Sequence, residues 1–185
     1  MIQKGSGNFP EKCIFRLNEI GAVFKLLQVK IIGVGKIKEN YIREGIAEYV
    51  KRLKPYLRLE IIEVPDEPCP ENLSPAEEQK VKEKEGERIL KALSPSDYVI
   101  LLDIKGKTMD SEGFSRFLDD LALKGQSSVA FVIGGSLGVS SSLYGRADYR
   151  WSFSPLTFPH QLMRLILLEQ IYRAVRISRG EPYHK

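Results

Sequence analysis

The chain is short of cysteine, histidine and long apolar runs, and each shortage excludes a class of protein. Cys13 and Cys69 are the only cysteines in 185 residues. They make no disulfide framework and have no metal-ligand spacing. Two histidines, His160 and His184, with no Ser or Cys nucleophile elbow, give no hydrolytic triad. Zinc finds no cluster of ligands. Wholly apolar runs such as Leu165–Leu168 are a few residues long, against the roughly 18 needed to span a bilayer. Lys4 is followed by no apolar stretch, so a secretory signal is not expected. The expected setting is the cytoplasm, with neither membrane nor metal.

Of the sequence, 43% is apolar and 28% charged, the proportions of a soluble globular domain. Net charge is 28 − 24 = +4, but the charges are segregated. Lys25–Arg58 holds nine basic and three acidic residues, Glu60–Glu87 three basic and ten acidic, and Trp151–Lys185 five basic and two acidic. Solvated helix faces account for most such runs; the same segregation lets one face meet phosphates while the whole stays near neutral.

Met1–Phe24 has no clear periodicity beyond a weakly amphipathic "CIFRLNEIGAVF". From Leu27 the pattern is regular. "LQVKIIGV" reads as a strand, and "NYIREGIAEYVKRLKPY" has helical spacing that Pro55 ends. "LRLEIIEV" is a second strand, followed by the proline-rich loop "PDEPCPENLSP". "AEEQKVKEKEGERILKAL" is a helix with acidic residues early. "DYVILLDI" and "SVAFVIGG" are apolar throughout, as strands buried on both faces must be. Between them "DSEGFSRFLDDLALKG" is a helix capped at Asp110 or Ser111 and closed at Gly125. A short helix over Ser140–Tyr144 precedes a fifth strand, "ADYRWSF", and an apolar helix closes the chain. This βαβαβαβαβα order predicts an α/β fold with a parallel sheet between helices.

In such sheets ligands bind beyond the carboxyl ends of the strands. Three loops qualify: after Leu102, Ile133–Gly138 ("IGGSLG") and Phe153–Phe158 ("FSPLTF"). Nucleotide fingerprints fail. "GVGKIK" would need its third glycine at Lys38, and "GKT" at Gly106–Thr108 would need an earlier glycine at Leu101. The closing helix, apolar from Leu162 to Ile177 on more than one stripe, needs cover on two sides. With little chain left to supply it, one side is expected on the sheet and the other on a second copy, making a homodimer. In the tail, Tyr183, His184 and the nearby Arg176 and Arg179 suit stacking and phosphate contact with RNA.

"VGKIKENY", "KEGERIL", "FVIGGSLG", "SFSPLTFPHQLMRLILLEQIYRA" and "RGEPYHK", in this order, resemble one family. It is the bacterial ribosomal large-subunit pseudouridine N3-methyltransferases, small members of the trefoil-knotted SPOUT class. The resemblance covers Leu27–Lys185 and implies one domain over 27–185, an α/β/α sandwich with a C-terminal trefoil knot, and a homodimer. It implies S-adenosylmethionine held by Leu102, Gly134, Phe153, Ser154, Pro155, Leu156, Thr157 and Phe158. The implied substrate is a pseudouridine in the helix 69 loop of 23S rRNA, methylated at N3 on the assembled ribosome. His184 is the candidate base for the N3 proton, and His160, after Pro159, is expected to orient the loop. Arg164, Arg176, Arg179 and Tyr183 are the candidate RNA contacts, Arg164 equally a candidate for the partner subunit. Residues 1–26 have no counterpart in the family and are expected to be a misassigned start or a floppy extension. A SPOUT enzyme acting on tRNA and a non-catalytic ribosome-binding module remain the alternatives.

Overall fold

A strand that is apolar at every position needs cover on both faces, and the sheet has it. The computed structural model describes residues 27–183, so the expectations for Met1–Phe24, Cys13 and His184 lie outside the described residues. One parallel sheet holds β1 (Gln28–Val34), β2 (Arg58–Val64), β3 (Tyr98–Thr108), β4 (Ser128–Ile133) and β5 (Tyr149–Ser152). Its strand order is β2-β1-β4-β3-β5. The helices are α1 (Asn40–Leu53), α2 (Pro75–Ala92), α3 (Ser111–Leu123), α4 (Ser141–Arg146) and α5 (His160–Ser178). The expected alternation is the observed one.

Side chains of successive strand residues leave on opposite faces. Val29, Ile31, Ile100, Val129 and Phe131 enter a core shared with α1, α3 and α5. Ile32, Val34, Val99, Leu101 and Val132 meet Ile89 of α2 and Leu143 of α4 on the other face. Helix starts follow local chemistry. Ser74 and Glu77 form a capping box at α2, with Pro75 in its first turn. Asp110 accepts the Gly113 N–H at 2.6 Å to start α3.

Two expectations change. β3 does not stop at Ile104. After Leu102 its register with β5 breaks, and pairing resumes at Lys107–Trp151 and Thr108–Ser152. Gly106 permits this, since a Cβ there would stand 2.7 Å from the Arg150 backbone carbon and oxygen. The second change concerns α5. It has more cover from its own chain than its position at the end of the sequence promised, because α1 and α3 flank it over the sheet. Leu165 fills the space beside Gly45 of α1. Ser115 of α3 donates to the Ala174 carbonyl at 2.8 Å, and Ser178 donates to Asp119 at 2.7 Å. The apolar breadth of α5 is therefore met in large part within the chain, while Leu162, Met163, Leu165, Ile166 and Ile177 stay half-buried.

β5 is an edge strand, yet α5 packs over β1 and β4 near the middle of the sheet. The link Phe153–Pro159 must run back across the end of β3. That return forms one wall of the site.

Candidate functional site

Between the returning link and the glycine turn after β4 lies a cavity of about 400 Å³, a volume typical of small-molecule sites, about 300–1,000 Å³. Leu102, Gly134, Phe153, Ser154, Leu156, Thr157 and Phe158 line it. Three loops far apart in sequence thus meet at one place. Pro155, expected with them, is the one that the wall leaves out.

Each wall has a local cause. In the turn, the Gly138 N–H donates to the Gly135 carbonyl at 3.1 Å, with Gly138 at φ 93°, a conformation that suits glycine. A Cβ on Gly134 would stand 2.6 Å from Val139 Cγ1 and 3.1 Å from the Gly138 carbonyl. In the link, Ser152 Oγ lies 3.2 Å from both the Ile104 and Ser154 carbonyl oxygens, and the Leu156 N–H donates to Ser154 Oγ at 3.0 Å. Leu156 is 69% exposed at the mouth. α5 opens on the cavity at Pro159 and His160 without a side-chain cap, so the positive end of its dipole suits an anionic group there.

Other lining residues were missed in the sequence. Trp151 has ring centroids of Phe114 at 4.1 Å and Phe153 at 4.3 Å. Asp103 accepts from Arg150 Nε and Nη2 at 2.9 and 2.5 Å and from the Lys105 N–H at 3.1 Å. The same guanidinium sits 4.9 Å above the ring of Tyr144. Asp103 meets Arg150 because β3 and β5 pair, and Phe114 and Tyr144 come to them from α3 and α4, which no spacing in the sequence records. His160 faces the cavity too. Burial depresses its imidazole pKa, with Arg164 and Lys38 adding to the effect against Asp66, which favours the uncharged ring.

Behind the turn stands Glu85 of α2, only 6% exposed. Its Oε1 accepts the Glu67 N–H at 3.0 Å, whereas Oε2 has no hydrogen-bond partner. Val81, Glu85 and Ile89 are all buried on α2. A carboxylate at i+4 between two apolar residues was therefore a sequence signal. Burial raises the Glu85 pKa; the Glu67 N–H opposes this, Asp66 and Glu67 charges reinforce it and Arg88 opposes it. A carboxyl whose pKa rises on folding favours the folded state below the ordinary value and loses that favour as pH climbs through the raised one. Glu85→Gln should therefore have the higher urea midpoint above neutrality. Its lead should shrink as pH falls toward the ordinary 4.5; a lead independent of pH would contradict this assignment.

The expected RNA contacts fare differently. Arg164 is a correction: it is 1% exposed. Nη1 donates to Glu63 at 3.0 Å, and Nη2 to the Val34 and Gly35 carbonyls at 2.5 and 2.6 Å. The guanidinium closes the end of β1 and is not presented to RNA. Arg176 pairs with Glu181 at 2.6 Å and donates to Tyr172 at 2.8 Å, while Arg179 lies 4.8 Å from the Tyr56 ring centroid. Tyr183 donates to Glu169 at 3.0 Å; burial and that bond push its pKa up to about 12. All three lie beside the C-terminal half of α5, away from its His160 end. Among the described residues, no group of three or more His, Cys, Asp or Glu is placed to hold a metal ion. No helix there is long and apolar enough to cross a membrane.

A family model for predicted SPOUT methyltransferases matches residues 27–184. Ribosomal RNA large subunit methyltransferase H of Desulfitobacterium hafniense (strain Y51) is 65% identical over 160 residues, 86% of this chain and 100% of that one. The protein of the same name from Carboxydothermus hydrogenoformans is 62% identical over 159 residues, with the same coverage. The crystal structure of the SpoU methyltransferase AviRb from Streptomyces viridochromogenes, in complex with AdoMet, aligns with 85% of this chain and 60% of that one. Its identity is 15% and its TM-score 0.39.

Proposed function

The chain belongs to the SPOUT methyltransferase family, and from that premise we propose that it methylates N3 of a pseudouridine in the helix 69 loop of 23S rRNA. The methyl donor in this reading is S-adenosylmethionine, and the substrate is the assembled ribosome in the cytoplasm. The observation that carries the reading is the cavity in which seven of the eight residues expected to hold the cofactor meet. Full coverage of the two ribosomal RNA large subunit methyltransferases H by this chain supports the ribosomal substrate.

The residues present fit the cofactor. Leu102, Trp151 and Phe153 offer apolar walls, the turn Gly134–Gly138 lines the cavity beside them, and the uncapped start of α5 suits a carboxylate. When bound there, the sulfonium supplies a methyl group on a good leaving group. What the chain adds is positioning of the methyl against N3 and a destination for the N3 proton. His160, at the first turn of α5, lines the wall and would orient the loop before it. The candidate acceptor of the proton is His184, beside Tyr183.

That assignment favours a homodimer. Glu169, the partner of Tyr183, is nine residues beyond His160, about 14 Å along α5 at 1.5 Å per residue. Tyr183 thus stands beside the far half of its own α5, and in this reading the cavity that the tail serves is that of a second copy. Arg176, Arg179 and Tyr183 would then lie near RNA entering the partner's cavity. Residues 27–185 form a single domain in this reading. The trefoil knot is supported by the return of the chain from edge strand β5 across the end of β3 to the place of α5 between α1 and α3.

The test uses methyl-labelled S-adenosylmethionine and ribosomes lacking this methyl group, with and without pseudouridine in helix 69. Label in 23S rRNA that requires the pseudouridine is the expected result. Label in tRNA instead would replace the substrate, and a chain that binds ribosomes but neither binds the cofactor nor transfers label would point to a non-catalytic binding module.

A further inference from the structure

Consecutive residues of α2 abut the start of the glycine turn and the residue that caps α4 just beyond it. A Cβ on Gly135 would collide with Glu85 Oε2, and one on Gly86 would collide with Ser140 Oγ. Ser140 is the N-cap of α4 and accepts the Leu143 N–H at 3.4 Å. The segment Gly134–Val139, which lines the cavity, therefore has its back against α2. Glu85 also reaches the loop after β2 through the Glu67 N–H, and Glu67 itself pairs with Lys84 at 3.1 Å and with Arg88. A buried oxygen without a donor is uncommon in a folded chain: Oε1 serves the Glu67 N–H, and Oε2 has no such partner. What the oxygen does touch is the turn.

Resting on the cofactor reading above, we infer that Glu85 is a positioning residue of the cofactor site. Its carboxyl backs Gly135 and holds the Gly134–Gly138 turn in the shape that receives S-adenosylmethionine. Glycine at 135 and glutamate at 85 are then one device. The side chain of one occupies the space that a Cβ of the other would need, and neither contributes an atom that reacts. Asp66 and Arg88 lie near enough to act on the Glu85 charge but belong to the loop after β2 and to α2, not to the turn.

The experiment measures binding of S-adenosylmethionine by calorimetry in the full chain, with thermal melts alongside. The variants are Glu85→Gln, Glu85→Ala, Gly135→Ala and the double variant Glu85→Ala/Gly135→Ala. Glu85→Ala should weaken binding about tenfold and Gly135→Ala more. The double variant should bind better than Gly135→Ala alone, because removing the carboxyl makes room for the new methyl. Melting of Glu85→Gln should match or exceed that of the native chain. A second readout needs no ligand: amide exchange over 134–138 should accelerate at least fivefold in Glu85→Ala. Binding by both Glu85 variants within twofold of native, with unchanged exchange, overturns the inference. So does strict additivity in the double variant. A native chain that takes up no cofactor defeats the cofactor reading and the positioning role together, whereas failure of the variants alone defeats only Glu85.

Discussion

Arg164→Ala should lower the free energy of unfolding by about 3–5 kcal/mol, the usual loss when one partner of a buried ionic contact is removed. The guanidinium meets Glu63 and the carbonyls of Val34 and Gly35, and the substitution leaves all three without it. Glu63 is partly exposed, with 35% of its side chain open to water, so its charge is rehydrated and the loss stays below the extreme for a sealed pair. The carbonyls end β1 in a buried position and have less recourse. A cavity also opens beside Gly33, where the guanidinium fills the space a Cβ would take, 2.6 Å from Nε. For a chain of this size the thermal midpoint should fall by roughly 6–20 °C. Arg164→Lys should recover less than half of the loss, since an ammonium cannot span the three acceptors as a planar fork does. Urea melts followed by Trp151, the single tryptophan, would measure this. A loss below about 1 kcal/mol would show that Arg164 is dispensable to the fold.

Gly134→Ala should act on the ligand rather than on the fold. Its methyl would press on Val139 and on the Gly138 carbonyl. Val139 can turn, but the carbonyl belongs to the turn that walls the cavity. Affinity for S-adenosylmethionine is expected to fall about 10–100-fold, on the order of the 1–3 kcal/mol that overpacking costs. The melting temperature should move by only a few degrees, because the turn gives way toward the cavity. Gly145→Ala serves as the control. It lies in α4, meets nothing within 4 Å of a new methyl, and should bind as the native chain does. Calorimetry that finds Gly134→Ala as tight as this control would remove the turn from the cofactor site.

Much of this architecture was legible before any coordinates, and for definite reasons. "DYVILLDI" and "SVAFVIGG" carry no polar alternation, which only strands covered on both faces tolerate. Asp110 before "SEGF" and Gly125 after it mark the ends of a helix in purely local chemistry. The three loops beyond strand ends were legible because a parallel sheet brings the ends of its strands to one edge. Short-range patterns and the rule for parallel sheets were enough for these.

Contacts between distant segments were not. Arg164 looked like any basic residue on the way to RNA, because nothing nearby in sequence announces a carbonyl pair 130 residues away. α5 looked short of cover because sequence position says when an element is made, not where it lies; α1, made early, flanks it. Glu85 interrupts an apolar face, and the pattern could flag the interruption but not name Gly135 as its neighbour. The sequence by itself determined the order of elements, their caps and the edge of the sheet where a ligand would bind, since all three follow from periodicity and backbone preference over a few residues. Only the tertiary structure decided which buried charge meets which carbonyl and which side chain fills the space beside which glycine. Those outcomes depend on packing between elements brought together by the whole chain, where a shift of an ångström changes the partner.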